Sequence, residues 1–144
     1  MSTAWFHCFS GIAGDMALGA LLDAGAPLDE VTGLLDRLPL SGWALDAEPV
    51  LRGGIAGTQV HVRAEDSTVV RTAAHIQGLV LEARLPDRVQ ARALAVFGAL
   101  AEAEGRLHRR PPDQVHFHEV GGIDAIVDVV GTCAALEVLG VHEV

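Results

Sequence analysis

The chain has 144 residues, half of them apolar and only 4% aromatic, and a formal net charge of −9 in which all ten basic residues are Arg. That is enough chain for one compact domain with an aliphatic core; it is too apolar for a disordered segment, and it lacks the basic footprint of a nucleic-acid binder. Two cysteines are too few for a disulfide framework, and no basic leader with an unbroken apolar run opens the chain. The most apolar stretch, 120–141, is interrupted by Asp124, Asp128 and Glu137, which argues against a membrane span. The expectation is one soluble, cytoplasmic domain over 1–144 with reduced, buried thiols at Cys8 and Cys133.

In chain order, residues 3–9 form a short apolar run with Trp5, Phe6 and Phe9 that reads as a buried strand. It breaks at Ser10-Gly11-Ile12-Ala13-Gly14-Asp15, after which Met16, Leu18, Leu21 and Leu22 mark a helix ending near Gly25. A second helix over 28–37 carries Val31, Leu34 and Leu35 and is stopped by Pro39. Residues 43–51 read as an edge strand because of Pro49. Arg52-Gly53-Gly54 signals a turn, and Val60-His61-Val62-Arg63 alternates as the second arm of a hairpin. Ile76, Leu79, Val80 and Ala83 predict a short helix. A longer one starts at Pro86 with Val89, Ala93, Val96, Phe97, Leu100 and Leu107 inward and Arg88, Arg92 and Glu102 outward. After Pro111-Pro112, residues 115–120 are strand-like, and 123–139 form a helix that is apolar on almost every face. The fold class is mixed α/β (α+β), helix-rich, with a small sheet and about five helices packed on it.

The densest chemistry lies in His116-Phe117-His118-Glu119-Val120-Gly121-Gly122-Ile123-Asp124-Ala125-Ile126-Val127-Asp128. On an extended segment, residues two apart share a face. His116 and His118 therefore point together while Val115 and Phe117 anchor the other side, and two such imidazoles can reach one metal ion. Asp124 and Asp128, four apart, share one face of the following helix. Buried like charges raise each other's pKa unless a cation or a donor compensates. Glu119 is ambiguous, since strict alternation turns it away from the histidines. The second candidate is the loop at 10–15: Ser10, Gly11, Gly14 and Asp15 lie between a strand and a helix, where backbone N–H groups can approach a phosphate. The bland alternative there is a tight turn capped by Ser10. Cys8 beside His7 reads as packing rather than chemistry.

Three segments together carry a resemblance. Phe6-His7-Cys8-Phe9-Ser10-Gly11-Ile12-Ala13-Gly14-Asp15-Met16, Arg52-Gly53-Gly54-Ile55-Ala56-Gly57-Thr58, and Val115-His116-Phe117-His118-Glu119-Val120-Gly121 through Asp124-Ala125-Ile126-Val127-Asp128-Val129-Val130-Gly131 resemble the LarC-type nickel insertion protein family. The resemblance is to the N-terminal part of that family, whose C-terminal part would follow Val144. It departs from the family pattern at His7, where Asp is frequent, and at 67–75, which many members make His-rich.

The resemblance implies a cyclometallase-type lyase: CTP-dependent insertion of nickel into pyridinium-3,5-bisthiocarboxylic acid mononucleotide, giving the nickel-pincer cofactor of lactate racemase and similar enzymes. It implies nickel, and CTP with Mn or Mg held through the C-terminal domain. Its partners would be the mononucleotide substrate and that domain, with no nucleic acid and no membrane. The residues expected to handle metal are His116, His118, Glu119, Asp124 and Asp128, and those expected at a phosphate are Ser10, Gly11, Gly14 and Asp15. No residue is assigned as catalytic acid or base. Two other readings stay open at this stage. One is a metal-dependent phosphoryl-transfer enzyme. The other is a non-catalytic module whose last helix docks the C-terminal domain or self-associates into a homo-oligomer.

Overall fold

The computed structural model describes residues 2–65, 69–117 and 120–144. Its elements are β1 (Ser2–Thr3), α1 (Gly14–Asp23), α2 (Leu28–Leu35), β2 (Trp43–Arg52), β3 (Ile55–Ala64), β4 (Arg71–Thr72), α3 (Ala73–Glu82), α4 (Asp87–His108), a 3-10 turn (Pro112–Gln114), β5 (His116–Phe117), α5 (Ile123–Val138) and β6 (Val141–Glu143). The class is the expected helix-rich α/β mixture. Its strands are distributed over three two-stranded pairs: β1 with β6, β2 with β3, and β4 with β5. Among the described residues, no helix is long and apolar enough to cross a membrane.

Local sequence explains the boundaries. α1 stops where Gly25 takes φ +110°, a left-handed conformation that glycine adopts without a Cβ penalty. The Ala26 N–H then reaches back to the Leu21 carbonyl at 3.1 Å. β2 and β3 pair antiparallel from Trp43↔Ala64 to Arg52↔Ile55. They are joined by Gly53 and Gly54 at φ +57° and +81°, the two positive angles that a tight twisted hairpin turn requires. Pro49 is tolerated because, among the described residues, no third strand joins the ribbon to receive its missing N–H. The Thr72 hydroxyl accepts the His75 N–H at 3.1 Å and so caps α3.

α5 is the centre of the core. Nine of its residues are buried, among them Ile126, Val127, Val130, Ala134 and Leu136, and α1, α2, α4, β3 and β6 all pack on it. Burying a side chain such as Leu18, which is fully enclosed, contributes roughly 1.5–3 kcal/mol. The small residue at Gly131 serves this packing: a Cβ there would lie 3.0 Å from Leu18 Cδ2 and 3.5 Å from Leu35 Cδ1.

Two expectations change. Residues 3–9 are not a buried strand: β1 ends at Thr3, the Ala4 N–H makes one further bond to the Glu143 carbonyl, and Trp5 and Phe9 are each 88% exposed. Beyond Ala4, no strand among the described residues pairs with the apolar run. On α4 the inward row is Val89, Ala93, Phe97, Ala101 and Gly105, a four-residue ridge. Val96 and Leu107 lie outside it and are exposed. Arg88 and Arg92 turn toward the C-terminal segment rather than outward. Arg88 forms a two-point bridge to Glu137 at 2.8 and 3.0 Å and also contacts His142. Arg92 Nη2 donates to the Val141 and His142 carbonyls at 2.9 and 3.0 Å.

Candidate functional site

The loop at 10–15 and the start of α5 come from opposite ends of the chain and meet. Gly11 takes φ +85°, and its N–H donates to the Cys8 carbonyl at 3.1 Å. The chain then enters α1 with Ala13 as its N-cap, and no side chain caps the helix. Ser10 is therefore not the cap; it stands exposed three residues upstream. Asp15, in the first turn of α1, accepts the Met16 N–H at 2.8 Å, where the positive end of the helix favours its charge.

Opposite lies Asp128. A Cβ on Gly14 would fall 2.7 Å from Asp128 Cβ and 2.9 Å from its Oδ2, so only the bare backbone of Gly14 fits against this carboxylate. The Asp15 N–H faces the same group. Asp124, one helical turn earlier on α5, is exposed. Burial pushes the Asp128 carboxyl up to about 6, and the charges of Asp15 and then Asp124 push in the same direction. Its Oδ1 is buried without a hydrogen-bond partner among the described residues.

The predicted phosphate loop and the predicted carboxylate pair therefore form one acidic mouth. It is open: among the described residues no three His, Cys, Asp or Glu side chains stand close enough to enclose a metal ion. His118 and Glu119 lie outside the described residues. His116 is placed as expected on an extended pair, with Val115 and Phe117 buried as its anchors. It lines a separate cavity of about 350 Å³ together with His108 and Arg110, away from Asp128. Cys8 is exposed rather than packed, on a segment that pairs with no strand among the described residues. Cys133 is buried as expected, and burial pushes its thiol up to about 11.

Sequence reasoning missed two arginines. Arg71, 8% exposed, donates from Nη1 to the Gly121 carbonyl at 2.8 Å and so anchors the chain just before α5. An arginine this buried inside a Thr/Val-rich segment was the available signal, since a buried charge needs a dedicated acceptor. Arg92 lines a groove of about 630 Å³ that opens beside Gly14 and Asp128. Nothing in the helical pattern of α4 distinguishes it from a solvated arginine.

Comparison with known proteins adds an independent line. A family model described as "Nickel insertion protein" matches residues 4–144. A Synechococcus elongatus protein is 52% identical over 98% of this chain, and one from Roseiflexus castenholzii is 50% identical over 97%; both are named "Putative nickel insertion protein". A Desulfitobacterium hafniense protein, 42% identical over the whole chain, is named pyridinium-3,5-bisthiocarboxylic acid mononucleotide nickel insertion protein. The chain spans about 36% of the length of these relatives, 36%, 35% and 36% respectively. No solved structure matches it.

Proposed function

The chain belongs to the nickel insertion protein family, and from that footing we propose that it handles the nickel ion that the whole protein inserts into pyridinium-3,5-bisthiocarboxylic acid mononucleotide. The observation that supports this reading is the meeting of Gly14 and Asp15 with Asp128. The charges of Asp15 and Asp124 both act on Asp128, whose Oδ1 has no donor among the described residues.

Nickel(II) is a borderline ion that accepts carboxylate and imidazole ligands and is held more tightly by sulfur. A mouth of carboxylates with open positions fits a cargo that must leave: it holds the ion loosely and yields it to thiocarboxylate sulfurs. Asp128 and Asp15 are the ligands assigned here, with Asp124 at the rim. His116, with His118 and Glu119 of the same motif, is assigned to the approach of the ion. Ser10 and Gly11, exposed on the loop, remain the assigned contacts of the substrate phosphate. CTP with Mn or Mg, the lyase chemistry and delivery of the product to a lactate-racemase-type enzyme are proposed for the whole protein, with the nucleotide held by its C-terminal domain.

The test is calorimetric titration of the chain with nickel, magnesium and manganese. Nickel should bind in the micromolar range, weaken at least tenfold in Asp128→Asn, and weaken less in His116→Ala. Magnesium binding as tight as nickel would move the reading to metal-dependent phosphoryl transfer. Unchanged nickel binding in Asp128→Asn would overturn this site.

A further inference from the structure

The arginines divide into those that the fold employs and those that it leaves over. Six of the ten set the guanidinium on a partner: Arg37 on the Arg84 carbonyl, Arg52 on Gln59, Arg63 on Asp46, Arg71 on the Gly121 carbonyl, Arg88 on Glu137 and Arg92 on β6. Among the described residues, Arg84, Arg106, Arg109 and Arg110 have neither an ion pair nor a side-chain hydrogen bond. Three of these four stand together at 106–110, where α4 ends. In a chain of net charge −9 such guanidiniums have many acids to choose from, so three gathered without one are a surface feature in search of an anion.

The end of the helix is closed without their side chains. Cations near a helix C-terminus are favoured by its dipole, but here the Arg109 and Arg110 N–H groups both turn back to the Gly105 carbonyl, the second at 3.0 Å. The backbone that carries them is fixed. A Cβ on Gly105 would lie 2.8 Å from the Arg110 carbonyl oxygen, so the turn packs directly on α4. Pro111 and Pro112 restrict the chain that follows, and beyond them Val115 is buried and its carbonyl accepts the Ala73 N–H at 3.0 Å. Arg110 and His116 are thereby brought from the two sides of the turn to the cavity of about 350 Å³ that His108 also lines. Arg110 lines in addition a neighbouring cavity of about 410 Å³ with Arg106 and Arg109, so the three guanidiniums adjoin one place. The carboxylates nearby leave that place open: Glu104 bonds His108 at 3.1 Å, Glu102 lines only the second cavity, and Asp113 lines neither.

We propose that the cavity of His108, Arg110 and His116 binds a phosphate-type oxyanion, with Arg106 and Arg109 supplying the positive field around it. A guanidinium offers two parallel donors that match two oxygens of a tetrahedral anion, and a neutral imidazole adds one N–H. The volume holds a phosphate group together with a small organic substituent. The site goes beyond the nickel reading and uses none of Asp15, Asp124 and Asp128. It is also compatible with that reading, since an N–H of His116 on the anion leaves the other ring nitrogen for the metal.

The test follows amide chemical shifts of the chain at neutral pH and constant ionic strength, with inorganic phosphate, glycerol 3-phosphate and chloride as probes. Both phosphates should shift amides within 105–117 and saturate, while chloride should barely move them. Tighter binding of glycerol 3-phosphate would assign the site to an esterified phosphate, and tighter binding of inorganic phosphate to the free ion; either result keeps the site. Arg110→Gln should weaken both at least about tenfold, the loss of one charge-assisted pair, and Arg110→Lys should recover part of it. Because Arg110 is exposed and employed by no other group, Arg110→Gln should melt together with wild type. Arg84→Gln removes the fourth unpartnered guanidinium, just past α3, and should leave binding unchanged. Shifts confined to the loop at 10–15 would give the phosphate to Ser10 and Gly11 and overturn the proposal. So would equal weakening by Arg84→Gln and Arg110→Gln, chloride shifts as large as those of phosphate, or no saturation at high millimolar concentration.

Discussion

At Asp128 a carboxylate is pressed against Gly14 under the charges of Asp15 and Asp124, and one of its oxygens meets no donor among the described residues. With its carboxyl raised from 3.8 to about 6, the folded protein holds a proton that the unfolded chain gives up near pH 4. Stability therefore falls as pH rises from about 4 through about 6, and the full cost is present above that window. Asp128→Asn should stabilise the chain at pH 7.5 by about 1 kcal/mol, a figure discounted for the solvent that reaches this half-buried group. The gain should vanish near pH 4; urea melts at the two pH values check it, and an equal difference at both would mean the carboxylate is unstrained. Nickel should behave in the opposite sense, stabilising wild type at pH 7.5 and losing its hold as Asp128 takes up its proton. Gly14→Ala, whose Cβ would sit 2.7 Å from Asp128 Cβ, should cost about 1–3 kcal/mol by forcing α1 and α5 apart. A denaturation midpoint equal to wild type would show that the two segments do not touch.

Among the elements, α5 was the most legible, since its near-unbroken apolar character predicts burial on every side, and five other elements cover it. The hairpin was legible for a different reason: Gly53-Gly54 supplies the two positive φ angles of the turn. Residues 3–9 read differently because hydropathy reports a wish to be buried and cannot report which surface answers it; among the described residues Trp5 and Phe9 are left exposed. The candidate site divides the same way. Each half, the loop at 10–15 and the Asp124–Asp128 pair, was visible from composition and spacing. That they face each other depends on how α1 crosses α5, which the local pattern does not encode. Arg92 was invisible because its acceptors, the carbonyls of Val141 and His142, belong to a strand that forms only in the tertiary structure. Arg71 shows what such a buried arginine is worth to an element: Arg71→Met removes its bond to the Gly121 carbonyl and should cost about 1.5–3 kcal/mol. That loss should appear as a lower melting temperature together with faster amide exchange around 120–124. Loss of stability without local exchange would assign Arg71 to general packing instead.

Across the whole molecule, α4 is tied by charged contacts to α5, through Arg88 and Glu137, and to β6, through Arg92 and the Val141 and His142 carbonyls, while the Val141 side chain is buried in the core. A two-point, part-buried bridge of this kind resists salt better than an exposed pair. Because Arg88 also contacts His142 of β6, Glu137→Gln should loosen β6 at every ionic strength, seen as faster exchange at Ala4, whose N–H bonds the Glu143 carbonyl. Unchanged exchange at Ala4 would show that the strand is held without the Arg88 bridge.

The parallel pairing of β1 with β6 brings Ser2 beside Val141, so nearly the whole described chain is the loop that this small ladder closes. Only two or three bonds repay the entropy of that closure, whereas the comparably distant contact of α1 with α5 is repaid by buried side chains such as Leu18, Val127 and Val130. The ladder should therefore be among the first parts of the molecule to open. Because Arg92 is held by the carbonyls of the same strand, its guanidinium is fixed only while that ladder stays closed.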